Sequence, residues 1–369
     1  MKALRAISIT GNYRYEDPHT MSEKTPPKTR TVVDKGVEGD LIVGIDLGTS
    51  RSAITASNGK RTWIESYVGW PKDFIARKLI GKPIVFGEEA LDHRLSLDLF
   101  RPLERGVIKE GTRDQQAVRE VIEHLIHLVE PRANGRTRAV VGVPAESFKS
   151  NKLAIKQALG DLVAFSMVVS EPFAVAYGLE MLDNAMVIDI GAGTVDFCIM
   201  HGAIPSEDDQ RTIFTAGDYI DQQLDDVLRE RYPNATFNLN MVRRFKEKHS
   251  FIGDAPAAVE VEIPVDGKPT RHDITHEMRR ACESILPGLI ETTLEMIAGF
   301  DPEFQDRIRS NVVLAGGGSQ IRGLRGHLEA SLKEYGPAGV TCVSDPLYSG
   351  AAGAMSLAME MPEEYWQQV

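Results

Sequence analysis

The sequence predicts an α/β protein built from two related halves that face each other across a cleft. Three observations carry this. The run Ile45-Asp46-Leu47-Gly48-Thr49 returns 143 residues later as Ile188-Asp189-Ile190-Gly191-Ala192-Gly193-Thr194. Each copy lies between two short apolar runs, LIVGID and SAITAS for the first, MVIDI and DFCIM for the second. That is the pattern of a strand, a tight turn and a returning strand. Beyond each copy, helix-period and strand-period segments alternate, as in layered α/β proteins. The period is too long for a solenoid and fits a duplicated domain.

Taken in order, residues 1–39 stand apart. TPPKTRT and a scarcity of large apolar side chains predict a disordered extension, within which Met21 is a candidate initiator. After the first hairpin, TWIESYVGW continues the strand pattern. Asp114–Glu130 places Val118, Val121, Ile122, Leu125 and Val129 on one helical face. Ala139–Val143 reads as a buried strand stopped by Pro144, and Met167–Val169 as another. Pro172 then starts a helix over AVAYGLEML. Helices follow near 218–232 and 239–249, two strands across 258–274, and a helical stretch over 275–299 interrupted at Pro287. The last third gives strand NVVLA, a glycine turn, a helix over 321–335, strand VTCV and a helix over 348–360. Domain I is expected at 40–182 with 345–362, carrying a small subdomain at about 66–111. Domain II is expected at 183–344 with a small subdomain at about 217–274, followed by a C-terminal tail, 363–369.

Composition narrows the functions. Lys plus Arg total 42 against 53 Asp plus Glu, a net charge of -11. Such a chain is repelled by nucleic-acid phosphates and by anionic lipid, so neither is an expected partner. The three cysteines, Cys198, Cys282 and Cys342, are far apart, which argues against a disulfide framework or a zinc site and fits a reducing cytoplasm. No uncharged apolar run approaches the roughly 18 residues of a spanning helix, and Arg5 and Arg14 break the start before a secretory signal forms. A cytoplasmic protein with no direct membrane insertion is expected.

The motifs specify chemistry. A tight Gly and Thr/Ser turn between strands points successive backbone N–H groups into one concavity, which suits a phosphate. Gly48, Thr49 and Ser50 form one such turn, and Gly191, Ala192, Gly193 and Thr194 the other. Asp46 and Asp189 bring a carboxylate to each turn. Carboxylate beside phosphate repels unless a divalent cation lies between, so the pair predicts hydrated Mg²⁺. Two turns could grip a triphosphate from both sides. A third run, Ala315-Gly316-Gly317-Gly318-Ser319, follows a buried strand and could lie flat against a nucleoside.

With those residues in view, GIDLGTS (44–50), DIGAGTVD (189–196) and LAGGGSQIRG (314–323) resemble, in order, the two phosphate motifs and the adenosine motif of the actin, DnaK-type chaperone and sugar-kinase superfamily. SEPFAVAYG (170–178) is similar to its connecting segment, and RPLERGVI (101–108) to a segment of the bacterial actins. VGWPKD (68–73), KHSFIG (248–253) and PEEYW (362–366) resemble the magnetosome-aligning branch of those actins. The resemblance runs from about Leu41 to Glu360. It implies an actin-like fold of two ribonuclease H-like domains, ATP/ADP and Mg²⁺ as ligands, and ATP hydrolysis that promotes filament turnover. It implies catalytic roles for Glu171, which would orient the attacking water, for Asp189, and for Thr194, which would hold that water or the γ-phosphate. Asp46 and Asp189 would bind the metal, while Lys246, Glu247 and Gly316–Gly318 would hold adenosine. The implied partners are the chain itself and organelle-associated adaptor proteins, with magnetosome positioning as the task and an MreB-like cell-shape filament as the alternative.

Plainer readings stand beside these. Glu171 before Pro172 also suits a helix start. Asp196 fits a structural hydrogen bond. His272 and His276 lack the glutamate of a zinc motif and read as exposed residues at a helix start. Cys198 and Cys342 read as buried packing residues. Tyr365-Trp366 marks either a contact site or a segment folded onto its own domain. A sugar-type kinase would need a catalytic Asp base, for which no candidate is found, and a chaperone-type switch would need a peptide-binding domain.

Overall fold

The computed structural model describes residues 40–108, 111–131, 135–145 and 148–368, so the expected extension over 1–39 lies outside it. The first half opens with β1 (Leu41–Leu47), β2 (Arg51–Ala56) and β3 (Arg61–Glu65). A separate three-stranded sheet with two helices follows: β4 (Val68–Pro71), α1 (Phe74–Ile80), β5 (Val85–Phe86), α2 (Gly87–Asp92) and β6 (Leu97–Phe100). The ribbon β7 (Leu103–Glu104) and β8 (Val107–Ile108) returns the chain to α3 (Thr112–Leu128) and β9 (Thr137–Val143). Next come α4 (Phe148–Leu159), β10 (Phe165–Ser170) and α5 (Glu171–Gly178).

The second half begins with β11 (Asp183–Ile190), β12 (Val195–His201) and β13 (Gln210–Ile213). It continues with α6 (Gly217–Arg231), α7 (Leu239–His249), the hairpin β14 (Glu260–Val265) and β15 (Lys268–Asp273), α8 (Thr275–Glu283), α9 (Leu286–Ala298) and α10 (Pro302–Arg309). β16 (Val312–Ala315), α11 (Leu324–Lys333) and β17 (Val340–Cys342) complete it. α12 (Ser349–Glu360) then crosses back to pack on β1 and α5, and β18 (Gln367–Gln368) ends the described chain.

The two principal sheets have one topology. The strands run β3-β2-β1-β9-β10 in the first half and β13-β12-β11-β16-β17 in the second. In each, antiparallel pairing on the hairpin side gives way to parallel pairing on the other. The repeat of one short motif is therefore a repeat of a whole sheet. Every residue of β9 is buried, as expected of a central strand with both faces covered. On one side α3 presses Val118, Val121, Ile122 and Leu125 onto the first sheet, all fully buried. Each such side chain contributes roughly 1.5–3 kcal/mol. A second core joins the halves: Val140 and Val169 from the first sheet and Val187 and Val313 from the second share a cluster with Ala174 of α5 and Ala354 of α12.

Several elements differ from expectation for local reasons. TWIESYVGW divides at Ser66-Tyr67 into β3 of the large sheet and β4 of the three-stranded sheet. α5 ends at Gly178 instead of running through AVAYGLEML, because Glu180 adopts a left-handed backbone, φ 56°. The helix expected from 321 starts at Leu324, after Gly323 at φ 86°. His272 lies on β15, half-buried against the Tyr232 ring, while His276 is exposed on α8. Cys342 corrects its assignment as a packing residue: it is exposed at the end of the three-residue edge strand β17, whereas Cys198 and Cys282 are buried. Of Tyr365-Trp366, the tryptophan folds back onto its own domain while the tyrosine stays exposed. Trp366 packs against the shared core, and β18 pairs with Phe165 and Ser166 of β10. Buried Arg138 pins the same segment, donating to both carboxylate oxygens of Glu363 at 2.8 and 2.9 Å and to Asp40 at 3.0 Å. Among the described residues, no helix is long and apolar enough to cross a membrane.

Candidate active site

The two hairpins aim their turns at each other. Asp46 ends its pairing with β9 opposite Gly142, and Asp189 occupies the equivalent position opposite Ala315 of β16. Both carboxylates thus leave the carboxyl ends of central strands, where open α/β sheets place their ligand sites. The turns touch: a Cβ on Gly193 would lie 2.5 Å from Thr49 Oγ1. Between the halves lies a cavity of about 520 Å³, the size of a small-molecule site.

All the residues to which the sequence assigned phosphate, metal, adenosine or catalytic roles line this cavity. Asp46, Gly48, Thr49 and Ser50 form one wall, and Asp189 with Gly191, Ala192, Gly193 and Thr194 the opposite one. Glu171, at the first position of α5, closes the floor beside Pro144. Lys246, Glu247, Gly316, Gly317 and Gly318 line it from the second half. Glycine is required in that last run. Gly316 has φ 71°, and side chains at 316 or 318 would overlap Ile190, while Gly317 faces open space. Asp196 does bond structurally, accepting from Ala145 N at 2.8 Å and Thr212 Oγ1 at 2.5 Å.

Some lining residues escaped sequence reading. Arg51 directly follows the first turn, and its guanidinium bonds Glu65 at 3.1 Å and, across the cleft, Glu247 at 3.0 Å. Adjacency to the turn was a signal for it. Asp218 and Arg243 also line the cavity, and nothing local announces them. The Lys246 ammonium is tied to Asp221 at 2.9 Å and to the Gly217 carbonyl at 2.7 Å.

The electrostatics are those of crowded carboxylates. Burial raises the Glu171 carboxyl well above the usual range, and the neighbouring Asp46, Asp196 and Asp189 raise it further. Asp189 is raised well above its usual value by burial and by Asp46 and Asp196, and burial pushes Asp46 up to about 6. Glu171 Oε1 is buried with no hydrogen-bond partner among the described residues. Such a site suits a cation near the two aspartates. Among the described residues, no three carboxylate, His or Cys side chains converge as a direct ligand set. Asp46 and Asp189 therefore fit an ion that keeps much of its own water, the habit of Mg²⁺.

Unfolded, these carboxyls titrate in the ordinary range near 4. Folded, they hold protons to higher pH, so between those values the native state binds more protons and stability falls as pH rises. The nucleotide-free protein is expected to lose thermal stability as pH rises from about 4 through about 6, the range over which Asp46 gives up its proton, and Asp46→Asn to lose less. Equal pH dependence in the two, by calorimetry, would refute the assignment to this cluster.

Comparison with known proteins agrees with this geometry. The family model for MreB/Mbl protein matches residues 40–365. The chain is 42% identical over 330 residues to "Actin-like protein MamK" of Paramagnetospirillum magneticum, covering 89% of this chain and 95% of that protein. It is 42% identical over 343 residues to the protein of the same description from Magnetospirillum gryphiswaldense, covering 91% and 95%. A solved "MamK double helical filament" superposes with a TM-score of 0.85 at 41% identity, covering 88% of this chain and 100% of that one. A non-polymerising MamK mutant bound to AMPPNP superposes with a TM-score of 0.69 at 41% identity, over the same shares.

Proposed function

This chain belongs to the MreB/Mbl family of actin-like proteins, and from that premise we propose that it binds and hydrolyses ATP and polymerises with itself into cytoskeletal filaments. The observation that carries the reading is the single cavity that gathers both phosphate turns, the glycine run and Glu171. The similarity to MamK filaments supports self-assembly.

In this reading the N–H groups of Gly48–Ser50 and of Gly191–Thr194 receive the phosphates from opposite walls. Gly316–Gly318 lie against adenosine, with Lys246 and Glu247 at its other side. A Mg²⁺ ion held by Asp46 and Asp189 would neutralise phosphate charge. Glu171 orients water behind the γ-phosphorus and accepts its proton density, and the Thr194 hydroxyl holds that water or the phosphate in line. Phosphoryl transfer depends mainly on such positioning. Filament growth uses a head-to-tail contact that does not close, and hydrolysis weakens it. The cellular task is to align magnetosomes through adaptor proteins, in the cytoplasm.

Sedimentation and negative-stain microscopy with ATP–Mg²⁺, ADP–Mg²⁺ and no nucleotide test this. Filaments are expected with ATP–Mg²⁺ and a smaller pelleted fraction with ADP. Monomers alone at high protein concentration with ATP–Mg²⁺ would overturn the proposal.

A further inference from the structure

The segment Arg101–Ile108 lies across the base of the cleft and touches both phosphate turns. Arg101 Nε donates to the Thr49 carbonyl at 2.8 Å, and the Gly106 amide donates to Thr49 Oγ1 at 3.2 Å. On the other side, Gly193 abuts the Arg105 backbone and Gly106 abuts the Thr194 methyl. The Arg101 guanidinium then crosses to the second half, donating to both carboxylate oxygens of Asp218 at 2.8 and 3.1 Å. Asp218 is fixed to the second turn by its own backbone. Its amide donates to the Ala192 carbonyl at 2.7 Å, and the Gly217 amide to Gly191 at 3.1 Å. One side chain thus connects the carbonyl of one phosphate turn to a carboxylate built onto the other.

A second crossing shares the same carboxylate. Arg243 of α7 lies 3.5 Å from Asp218 Oδ1 and donates to the buried Tyr67 hydroxyl of the first half at 2.9 Å. The Arg101–Asp218 pair is only partly exposed, at 23% and 33% of the side chains. Its two parallel bonds fix angle as well as distance, which a lysine ammonium does not reproduce.

We propose that Arg101 is a positioning residue for hydrolysis: with Asp218 it clamps the two phosphate turns at the separation and orientation that catalysis needs. This rests on the reading of the cavity as an ATPase site. Arg101 itself does not line the cavity, so it acts through Thr49 and the second turn and not on the phosphate. Ground-state binding by the turns would survive a small change in their spacing, whereas alignment of water, phosphorus and Glu171 would not.

The test is single-turnover hydrolysis over a range of ATP–Mg²⁺ concentrations for wild type, Arg101→Lys, Asp218→Asn and the double variant, with polymer pelleted from the same samples. Each single variant is expected to lower the saturating rate roughly 10- to 100-fold, with half-saturation within about threefold of wild type. The double variant is expected to be no worse than the more damaged single one, because both remove one clamp. Arg119→Ala, which breaks a surface ion pair with Asp161, is expected to match wild type. Wild-type saturating rates in Arg101→Lys, additive losses in the double variant, or a loss confined to half-saturation would overturn the clamp. Wild type that binds ATP without hydrolysing it would overturn the ATPase reading and the clamp with it. The isosteric Asp218→Asn keeps the test open should a change at Arg101 impair folding, and nucleotide-free melting curves report that directly.

Discussion

Glu171→Ala will yield filaments that form with ATP–Mg²⁺ but no longer turn over. Glu171 begins α5 directly after β10, and its side chain packs over Gly142, where a Cβ would stand 3.3 Å from Glu171 Cγ. That placement sets its carboxylate in the cavity near Asp46 and Asp189. Removing a positioned general base typically costs about 10²- to 10⁴-fold in rate. Phosphate release should fall by that order, while ATP-dependent pelleting persists. Glu171→Gln keeps the shape and should fall nearly as far, since an amide cannot accept the proton. Because the carboxyl's pKa is raised by burial and by three like charges, wild-type hydrolysis should fall as pH drops through that value. A cation near Asp46 and Asp189 would lower it and widen the active range. Both variants should also flatten the pH dependence of nucleotide-free stability. Unchanged phosphate release in Glu171→Ala would remove this residue from the mechanism.

Gly353→Ala is expected to damage the scaffold severely for so small a substitution. α12 and α5 cross at backbone contact, with Gly353 set against Ala174 and Gly178 against Gly353. An added methyl at 353 would overlap the Ala174 carbonyl and come within 2.6 Å of its carbon. Overpacking usually costs about 1–3 kcal/mol, and here the obstacle is main chain that cannot rotate away, so a loss of about 3 kcal/mol or more is expected. Gly326 provides the contrast. It lies within α11 with nothing within 4 Å of an added Cβ, so Gly326→Ala should stabilise by about 0.5–1 kcal/mol. Denaturant unfolding of both variants checks the pair. Equal effects would contradict the close crossing. Since the same two helices occupy the core shared by the two sheets, a looser crossing should also alter how the halves move about each other.

The fold was legible because its information is local. Gly48-Thr49 and Gly191–Thr194 carry their turn chemistry in adjacent residues, and Val118 to Leu125 declare one helical face. The site was legible in the same measure: Asp46, Glu171, Asp189 and the three glycine-bearing runs each sit within a recognisable strand end or helix start. What could not be read was pairing at long range. Arg101 and Asp218 are 117 positions apart, and neither has a neighbour that forecasts the other. Arg243 with Tyr67 and Arg51 with Glu247 are hidden for the same reason. Cys342 misled because three apolar-looking residues do not reveal whether their strand is central or at an edge, and β17 is at an edge. The turn at Ser66-Tyr67 was obscured by continuous β-forming residues on both sides, although Ser66 Oγ bonding the Gly48 carbonyl at 2.7 Å anchors the change of sheet.

The two-residue strand at the end of the described chain bears on how a self-associating protein avoids the wrong polymer. An open sheet border offers unpaired amides and carbonyls to any passing extended chain, and growth there leads to amyloid-like aggregates. β18 covers part of the β10 border, held by Trp366 and the Arg138–Glu363 pair. The other borders are guarded differently. β3 carries Arg61 and Glu65, β13 carries Arg211, and β17 is only three residues long. With these borders blunted, a high local concentration of subunits is steered away from indiscriminate strand addition and towards association through folded surfaces, the kind of growth that can be reversed.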